Sequence, residues 1–499
     1  MPDPVLVVGA GPAGLMLAGE LRTAGAEVVV IERLEQPTGQ SRGLGFTART
    51  MEVFDQRGLL PRLGDVGTTD RGHFGGLPLD FGVVPGAHYG GKHLSQARTE
   101  AMLESWATDL GADIRRGQEL VGLTDRGDFV EAQVRGPEGV HPLRGCFLVG
   151  CDGGRSIVRK AAGFAFPGTD ATMKMFLADV RGCELRPRPI GETLPGGMVM
   201  AAPLGDDVDR IIVCERGRPA RRRAEPPGWD EVAAAWQRLT SEDIRHGTPV
   251  WTSSFGDASR QASEYRKGRV LLAGDAAHVH LPAGGMGMNV SIQDSVNLGW
   301  KLAAEVLGWA PPGLLDSYHA ERHPVGRRLL TNTGAQGLLF LSGSEMQPLR
   351  DVLTELMRYE DVARHLVGMV SGLEIRYDVG PGGHPLLGRR LPKLELTRQE
   401  GPVTTTELLH TGRSVLLNLS DDESLRALAA PWAHRVDIVT ARPRGLAADN
   451  PLAGADAVLV RPDGHVAWVA GPREEVHEPL SAALHRWSGA PLPEAAHAR

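Results

Sequence analysis

Val5-Leu6-Val7-Val8-Gly9-Ala10-Gly11-Pro12-Ala13-Gly14, followed by Gly25-Ala26-Glu27-Val28-Val29-Val30-Ile31-Glu32-Arg33, is the stretch that decides the fold class. An apolar run reads as a buried strand, the glycine turn opens a helix, and a second apolar run ends in an acidic residue. In such a unit Gly9 permits the tight turn and Gly11 lets backbone N–H groups approach a pyrophosphate. Gly14 lets the helix pack closely on the sheet, and Glu32 can hold a ribose diol. Pro12 and Ala13 complete the turn. A lone G-x-G-x-x-G says little, but here strand, turn, helix, strand and acid follow in order, so a dinucleotide site is predicted.

A chain of 499 residues exceeds one ordinary core, and two or three domains are expected. The hydrophobic content of 41% and charged content of 23% are those of a soluble globular protein. A net charge of -7 with no extended basic tract argues against general nucleic-acid binding. Arg221-Arg222-Arg223 beside Pro226-Pro227 reads as a solvated loop. The four cysteines, Cys146, Cys151, Cys183 and Cys214, form no C-x-x-C pair and no ligand cluster, so no metal is expected and the thiols read as reduced in a cytoplasmic protein. No run reaches the roughly 18 apolar residues of a membrane span.

Two further strand-to-turn units need the same ligand. Phe147-Leu148-Val149-Gly150-Cys151-Asp152-Gly153-Gly154-Arg155-Ser156-Ile157-Val158-Arg159 places a carboxylate at a strand's carboxyl end, before glycines and a helix. That suits a ligand crevice, although an Asx turn capping a helix reads equally well. Arg269-Val270-Leu271-Leu272-Ala273-Gly274-Asp275-Ala276-Ala277-His278 sets Asp275 at a third strand tip, where it can accept from a sugar or ribityl hydroxyl. Leu281-Pro282-Ala283-Gly284-Gly285-Met286-Gly287-Met288-Asn289 follows, too glycine-rich for a helix interior and too apolar for an ordinary surface loop. Val290 to Glu305 then reads as an amphipathic helix. Its N-terminal N–H groups, at Gly287, Met288 and Asn289, favour an anion such as the N1–C2=O edge of a reduced flavin.

Three such strand tips, each more than 100 residues from the next, point to one interrupted domain. Together the motifs resemble those of the single-component FAD-dependent aromatic hydroxylases, the group of p-hydroxybenzoate and phenol hydroxylases. The resemblance covers about residues 1 to 390. Ser41-Arg42-Gly43-Leu44-Gly45-Phe46 is similar to the corresponding stretch of the bacterial hydroxylases of aromatic polyketides such as angucyclines and anthracyclines.

The resemblance implies an enzyme in which NADPH or NADH reduces FAD, O2 adds at flavin C4a, and the hydroperoxide hydroxylates a polycyclic aromatic substrate in antibiotic biosynthesis. Glu32 and Arg33 would hold the adenosine end. Arg42 matches the family arginine that meets FAD where the isoalloxazine moves between positions. Gln96 and Arg98 match the polar pair facing the ribityl and phosphate groups, although a plain helix N-terminus is the alternative. Asp152 and Gly153 would serve both FAD and the pyridine nucleotide, with Arg155 or Arg159 near the donor's phosphates, since no second Rossmann unit is present. Gly274, Asp275, Gly285, Gly287, Met288 and Asn289 would line the flavin end. Pro282 aligns with the proline whose carbonyl lies near flavin C4a. Met286 stands where p-hydroxybenzoate hydroxylase has a lysine, a departure that suits a bulky apolar substrate. His278 reads as structural. For a base that deprotonates a phenolic substrate, the candidates are Tyr89, Tyr265, His73, His88 and His93.

The expected organisation is α/β. A Rossmann-type FAD-binding domain (residues 1–69, 96–173 and 266–385) is interrupted by an antiparallel substrate domain (70–95 and 174–265). A thioredoxin-like domain (386–499) follows the linker Gly380-Pro381-Gly382-Gly383 and contains no cysteine, so it carries packing or homodimer contacts and no thiol chemistry. Two other reactions remain open on this scaffold: Baeyer–Villiger oxygen insertion beside a ketone, and flavin reduction that never uses O2.

Overall fold

A computed structural model describes residues 3–43, 45–87, 90, 94–205, 207–219, 225–444, 450–472 and 476–492. The run Val5–Val8 is buried at every position, as a strand covered on both faces requires. It lies in a six-stranded sheet of order Arg266–Lys267, Val270–Leu272, Phe147–Gly150, Val5–Val8, Val28–Glu32 and Asp113–Arg116. All pairings are parallel except that of the edge strand Arg266–Lys267. Val8 pairs with both Ile31 and Gly150, and Gly150 pairs with Leu272. The turns at Gly9, Cys151 and Ala273 therefore leave the same edge of one sheet side by side, although they are far apart in sequence.

The helix Pro12–Thr23 covers this sheet, and the helix Met286–Val306 packs on it. Gly299 of the second helix faces Glu20 of the first so closely that a Cβ could not be placed between them. The helix starts at Met286 rather than Val290. From Asn289 to Ala304 it is buried all round and not amphipathic, because the helix Pro12–Thr23, the helix Ser317–Leu341 and the C-terminal unit enclose it.

The second layer is a five-stranded antiparallel sheet of order Arg188–Leu194, Gly197–Gly205, Val208–Pro219, Met173–Arg181 and Thr248–Gly256. One face packs Phe176, Ala178, Val199, Ile211 and Val213 under Trp236 of the helix Trp229–Thr240. The other face looks toward the FAD-type sheet. Its register sets three rows across the strands: Met198–Cys214–Met175–Phe255, then Met200–Ile212–Leu177–Ser253, then Ala202–Arg210–Asp179–Trp251. Residues 70–95 were expected to belong to this layer. Their hairpin, Arg71–Phe74 with Leu77–Asp80, makes its own two-stranded ladder instead. Phe74 and Leu79 bury against Leu339, Val367 and Val370 of the helices that follow, so the hairpin's apolar side chains pack there.

The C-terminal part carries a four-stranded mixed sheet of order Val436–Thr440, Ser414–Asn418, Ala457–Val460 and Val466–Ala470, flanked by the helices Glu423–Ala429 and His477–Ser488. The turn between its last two strands reaches into the first unit. Arg461 pairs with Glu321 at 2.6 Å and with Asp463, while Arg57 bonds Glu20 at 2.6 Å and the Pro462 carbonyl at 2.8 Å. Among the described residues no helix is long and apolar enough to cross a membrane, and no cluster of three or more potential metal ligands occurs.

Candidate active site

The glycine turn has the geometry its sequence demands. Gly9 has φ +104°, and a Cβ there would overlap the Cys151 carbonyl of the neighbouring turn. A Cβ on Gly14 would overlap the Gly9 carbonyl oxygen, so this glycine sets how closely helix meets strand. A Cβ on Gly11, in contrast, would meet no protein atom within 4 Å: that glycine faces open space. Pro12 occupies the first turn of the helix, and the Ala13 carbonyl accepts from Ser295 Oγ at 2.8 Å. Glu32 is fixed at its strand tip by two backbone donors, Ala10 N–H at 2.8 Å and Leu34 N–H at 2.9 Å. Arg33 is exposed beside it.

At the second tip Asp152 Oδ2 accepts from the N–H groups of Ile157 (2.6 Å) and Val158 (3.2 Å), capping the short helix Ile157–Ala161. Its Oδ1 is buried and has no partner among the described residues, and no protein atom lies within 4 Å of a Cβ placed on Gly153. A buried carboxylate oxygen left unbonded is costly, and a ligand hydroxyl or N–H would satisfy it. Arg159 was expected near the donor's phosphates. Its guanidinium is buried instead, donating to the carbonyls of Ala276 and Gly154 (both 2.8 Å), so it ties the second and third turns together; Arg155 is exposed. Gly274 and Asp275 form a single 3-10 turn, with the Asp275 carboxylate exposed.

The turn at Gly274 is held from beneath by a residue the sequence did not single out. Asp294 is wholly buried; its Oδ2 accepts from Gly274 N–H at 3.1 Å and lies 2.8 Å from His278 Nε2, while its Oδ1 accepts from Arg322 Nε at 2.6 Å. Burial alone would raise the Asp294 pKa, but Arg322 and His278 hold it below the ordinary carboxylate value. In the sequence Asp294 is one polar residue among Gln293, Asn297 and Lys301 of a helix that reads as amphipathic, so nothing local marks it.

Gly285 caps the helix Met286–Val306 with a left-handed conformation, φ +65°. The first-turn N–H groups of Gly287, Met288 and Asn289 thus stand at the helix start. Asn289 Nδ2 donates to the Gly285 carbonyl at 3.0 Å, and its Oδ1 accepts from Thr47 N–H at 2.8 Å. This joins the Arg42 loop to the helix start; on the same loop Gly43 packs against Met288. Ser41 Oγ accepts from Ala97 N–H at 3.1 Å, bringing in the helix Gln96–Asp109. Pro282 is exposed, and its carbonyl accepts from Gly285 N–H at 3.2 Å. Arg42 is exposed; Leu44 of this loop lies outside the described residues.

Several side chains face away from the expected ligand. Gln96 Nε2 donates to Glu100 at 2.7 Å, and the Arg98 guanidinium donates to the Leu63 carbonyl, so both are committed within the protein. Met286 is buried against Val290 and Leu329, with Asn332 Nδ2 at 3.5 Å from its sulfur, and contributes no open apolar wall. Tyr265 is fully buried, bonded by Gln261 at 2.7 Å and pushed far above the phenol range by burial, so it is no base for a substrate. His88, Tyr89 and His93 lie outside the described residues. His73 stacks on Phe340 with centroids 6.3 Å apart, and burial lowers its pKa. Phe340 belongs with Leu281 and Ala283 to the apolar cluster beneath Met175, Met198, Met200 and Ile212.

The glycine cradle, the orphaned Asp152 oxygen, the open side of Gly11 and the helix start all fit FAD. The FAD binding domain family matches residues 3–333, and the aromatic-ring hydroxylase C-terminal family matches residues 384–491. The crystal structure of CabE, an aromatic hydroxylase from angucycline biosynthesis, is 65% identical and superposes with a TM-score of 0.95, covering 98% of this chain and 100% of that one. The 12-dehydrotetracycline 5-monooxygenase/anhydrotetracycline 6-monooxygenase of Streptomyces rimosus is 43% identical over 98% of this chain and 99% of its own. A dialkyldecalin synthase of Streptomyces rugosporus is 41% identical over 98% and 99%. The chain belongs to the FAD-dependent aromatic-ring hydroxylases. It is a flavoprotein monooxygenase, with FAD as cofactor and NAD(P)H as transient hydride donor.

Proposed function

We propose that this enzyme hydroxylates a polycyclic aromatic polyketide in antibiotic biosynthesis, using O2 and NAD(P)H. One observation carries the reading: Met198, Cys214, Met175 and Phe255 of the five-stranded sheet, with Met200 and Ile212 of the next row, pack with Leu281, Ala283 and Phe340, next to the helix start built by Gly285 to Asn289. Such a wall accepts fused rings and excludes water from the reacting end. FAD, when bound, supplies hydride acceptance and O2 activation, chemistry no side chain provides.

The chain's own residues divide the remaining work. Gly9, Gly11, Pro12, Ala13, Gly14, Glu32 and Arg33 take the adenosine and pyrophosphate side, and Asp152, Gly153, Gly274 and Asp275 take the hydroxyl-rich middle. Gly287, Met288 and Asn289 direct N–H groups at the electron-rich edge of the ring, and Gly285, whose own N–H is held by the Pro282 carbonyl, sets the helix start. Arg42 and Pro282 flank the reacting end, with the helix that carries Gln96 and Arg98 behind them. His73 meets the substrate. Its Nδ1 accepts from Gly76 N–H at 3.4 Å, so the neutral ring carries its proton on Nε2 and acts as a donor to a substrate oxygen. Residues 386–499 serve packing. The free cysteines Cys146, Cys151, Cys183 and Cys214 suit a cytoplasmic setting.

The test uses purified yellow protein, an angucycline-type polyphenol, NADPH and isotopically labelled O2. NADPH oxidation should rise when the polyphenol is added, and one labelled oxygen should enter the product. Product formed without labelled oxygen, as from a cyclase, would overturn the reading.

A further inference from the structure

The apolar wall on the inner sheet face has two boundaries. Along the strands it gives way to the polar row Ala202–Arg210–Asp179–Trp251. There Arg210 Nε and Nη2 donate to both Asp179 oxygens (2.7 and 2.8 Å), and Trp251 Nε1 donates to Asp179 Oδ2 at 2.6 Å. Arg210 Nη1 also donates to the Arg42 carbonyl at 3.3 Å, tying this row to the flavin loop. Across the strands, at the edge strand Arg188–Leu194, the wall meets Phe340.

Phe340 stands at the C-terminal end of the helix Ser317–Leu341, and its ring fills a notch made by two glycines. A Cβ on Gly191 of the edge strand, or on Gly76 of the hairpin turn, would overlap that ring. The His73 ring stacks on it. The backbone beneath is pinned, because five consecutive carbonyls, Leu339 to Gly343, accept from side chains outside the helix. Arg350 donates to those of Leu339 (2.8 Å), Ser342 (2.8 Å) and Gly343 (3.0 Å). Arg216 donates to that of Leu341 at 2.8 Å, and Thr193 Oγ1 to that of Phe340 at 3.3 Å. A helix end ordinarily leaves such carbonyls to water or a turn; here they fix the position of one aromatic ring.

We propose that Phe340 is a specificity-determining residue, the stop that limits how far a fused-ring substrate extends toward the edge strand. This rests on the hydroxylase reading above. The rest of the wall is built from Met175, Met198 and Met200, flexible side chains that adapt to the shape laid on them. A limit on length must come from a group that does not yield, and Phe340 is that group. His73 lies against the same ring, so a substrate oxygen bonded to His73 Nε2 brings that end of the substrate to Phe340. Truncating the ring leaves a lasting opening, because Gly191 and Gly76 have no side chains to move into it.

The experiment compares two probes that differ by one ring along the same axis, a tricyclic dihydroxyanthraquinone and a linear tetracyclic dihydroxynaphthacenequinone. FAD-loaded wild type, Phe340→Leu and Phe340→Ala are each equilibrated with both by dialysis, without NADPH, so binding is read and not turnover. The quantity is the Kd of the tricyclic probe divided by that of the tetracyclic one. Loss of the stack on His73 weakens both probes alike and cancels in this ratio. The ratio is expected to rise at least about tenfold in Phe340→Ala, from burial of the additional ring, and about threefold in Phe340→Leu. Should the alanine variant not retain FAD, the leucine variant decides by the same ratio. A ratio within about twofold of wild type in the FAD-retaining variants overturns the proposal. If wild type binds neither probe, and no polyphenol raises its NADPH oxidation, the hydroxylase reading fails first and this one falls with it.

Discussion

The backbone nitrogen of Gly274 donates to the Asp294 carboxylate at 3.1 Å, although the two residues belong to different elements, a strand-end turn and the helix packed behind it. The same carboxylate meets His278 and Arg322, and every one of these partners is buried. Asp294 is thus a positioning residue for the turn that presents Asp275. Asp294→Asn keeps the shape but leaves Arg322 buried without its counter-charge, which costs about 3–5 kcal/mol for a broken buried pair. A lower Tm and weaker FAD retention on gel filtration are expected together. Unchanged flavin retention alongside a lowered Tm would show that the network is structural only.

Gly11 and Gly14 separate binding from folding. A Cβ on Gly14 would overlap the Gly9 carbonyl oxygen, whereas one on Gly11 would point into open space. Gly14→Ala is therefore expected to lower the Tm of the apoprotein, through a destabilisation typical of overpacking, about 1–3 kcal/mol. Gly11→Ala should leave the apoprotein Tm within a degree or two, about the scale of a neutral surface change, while FAD affinity falls at least about tenfold. The measurement is apoprotein melting followed by FAD titration. Equal losses in both variants would remove Gly11 from the cofactor's path.

The contrast between these residues also shows what a sequence can carry. The three strand tips were legible because glycines, apolar runs and a terminal carboxylate lie within about ten residues of each other, and their meaning is local. Asp294 and Arg322 acquire theirs only when two helices pack, and Asp179, Arg210 and Trp251 only when three strands take one register. Arg159 misled for the opposite reason. Its place beside the Asp152 turn suggested a phosphate ligand, but the nearer carbonyls of Gly154 and Ala276 claim the guanidinium. Met286 stands by resemblance where a lysine lies near the flavin, a departure that suits an apolar substrate, but the helix start turns its side chain toward Asn332.

His73 is expected to act as a hydrogen-bond donor and not as a base. Burial holds its pKa below the ordinary imidazole value, so at neutral pH the ring is uncharged and contributes no limb to the pH–rate profile there. His73→Phe should raise the KM for the polyphenol by about tenfold, the scale of a lost buried hydrogen bond, and His73→Gln should recover part of it through its amide N–H. A kcat that collapses in both variants, with an acid limb lost from the profile, would assign it a base's role instead.

His465 makes the docking of the C-terminal unit sensitive to acid. Burial is the largest influence on it and, with Arg49 and Arg461 nearby, outweighs the attraction of Asp463, lowering its pKa from 6.5 to about 4. Its ring lies 4.3 Å from that of Tyr377, whose hydroxyl accepts from Arg322 at 2.9 Å. Between pH 6.5 and about 4 the unfolded chain binds a proton at this histidine and the folded chain does not. Its stabilising contribution is whole above pH 6.5 and is lost as the pH falls toward 4, amounting to at most about 3 kcal/mol. Glu321, lowered to about 2 by Arg461 and Lys301 against the opposing effect of burial, adds a second loss below pH 4.5. His465→Phe keeps the stack on Tyr377 and removes the titrating group. Its Tm should therefore change less than wild type between pH 6.5 and 4.5, yet still fall below 4.5. Parallel Tm curves for the two proteins over the upper interval would remove His465 as the source.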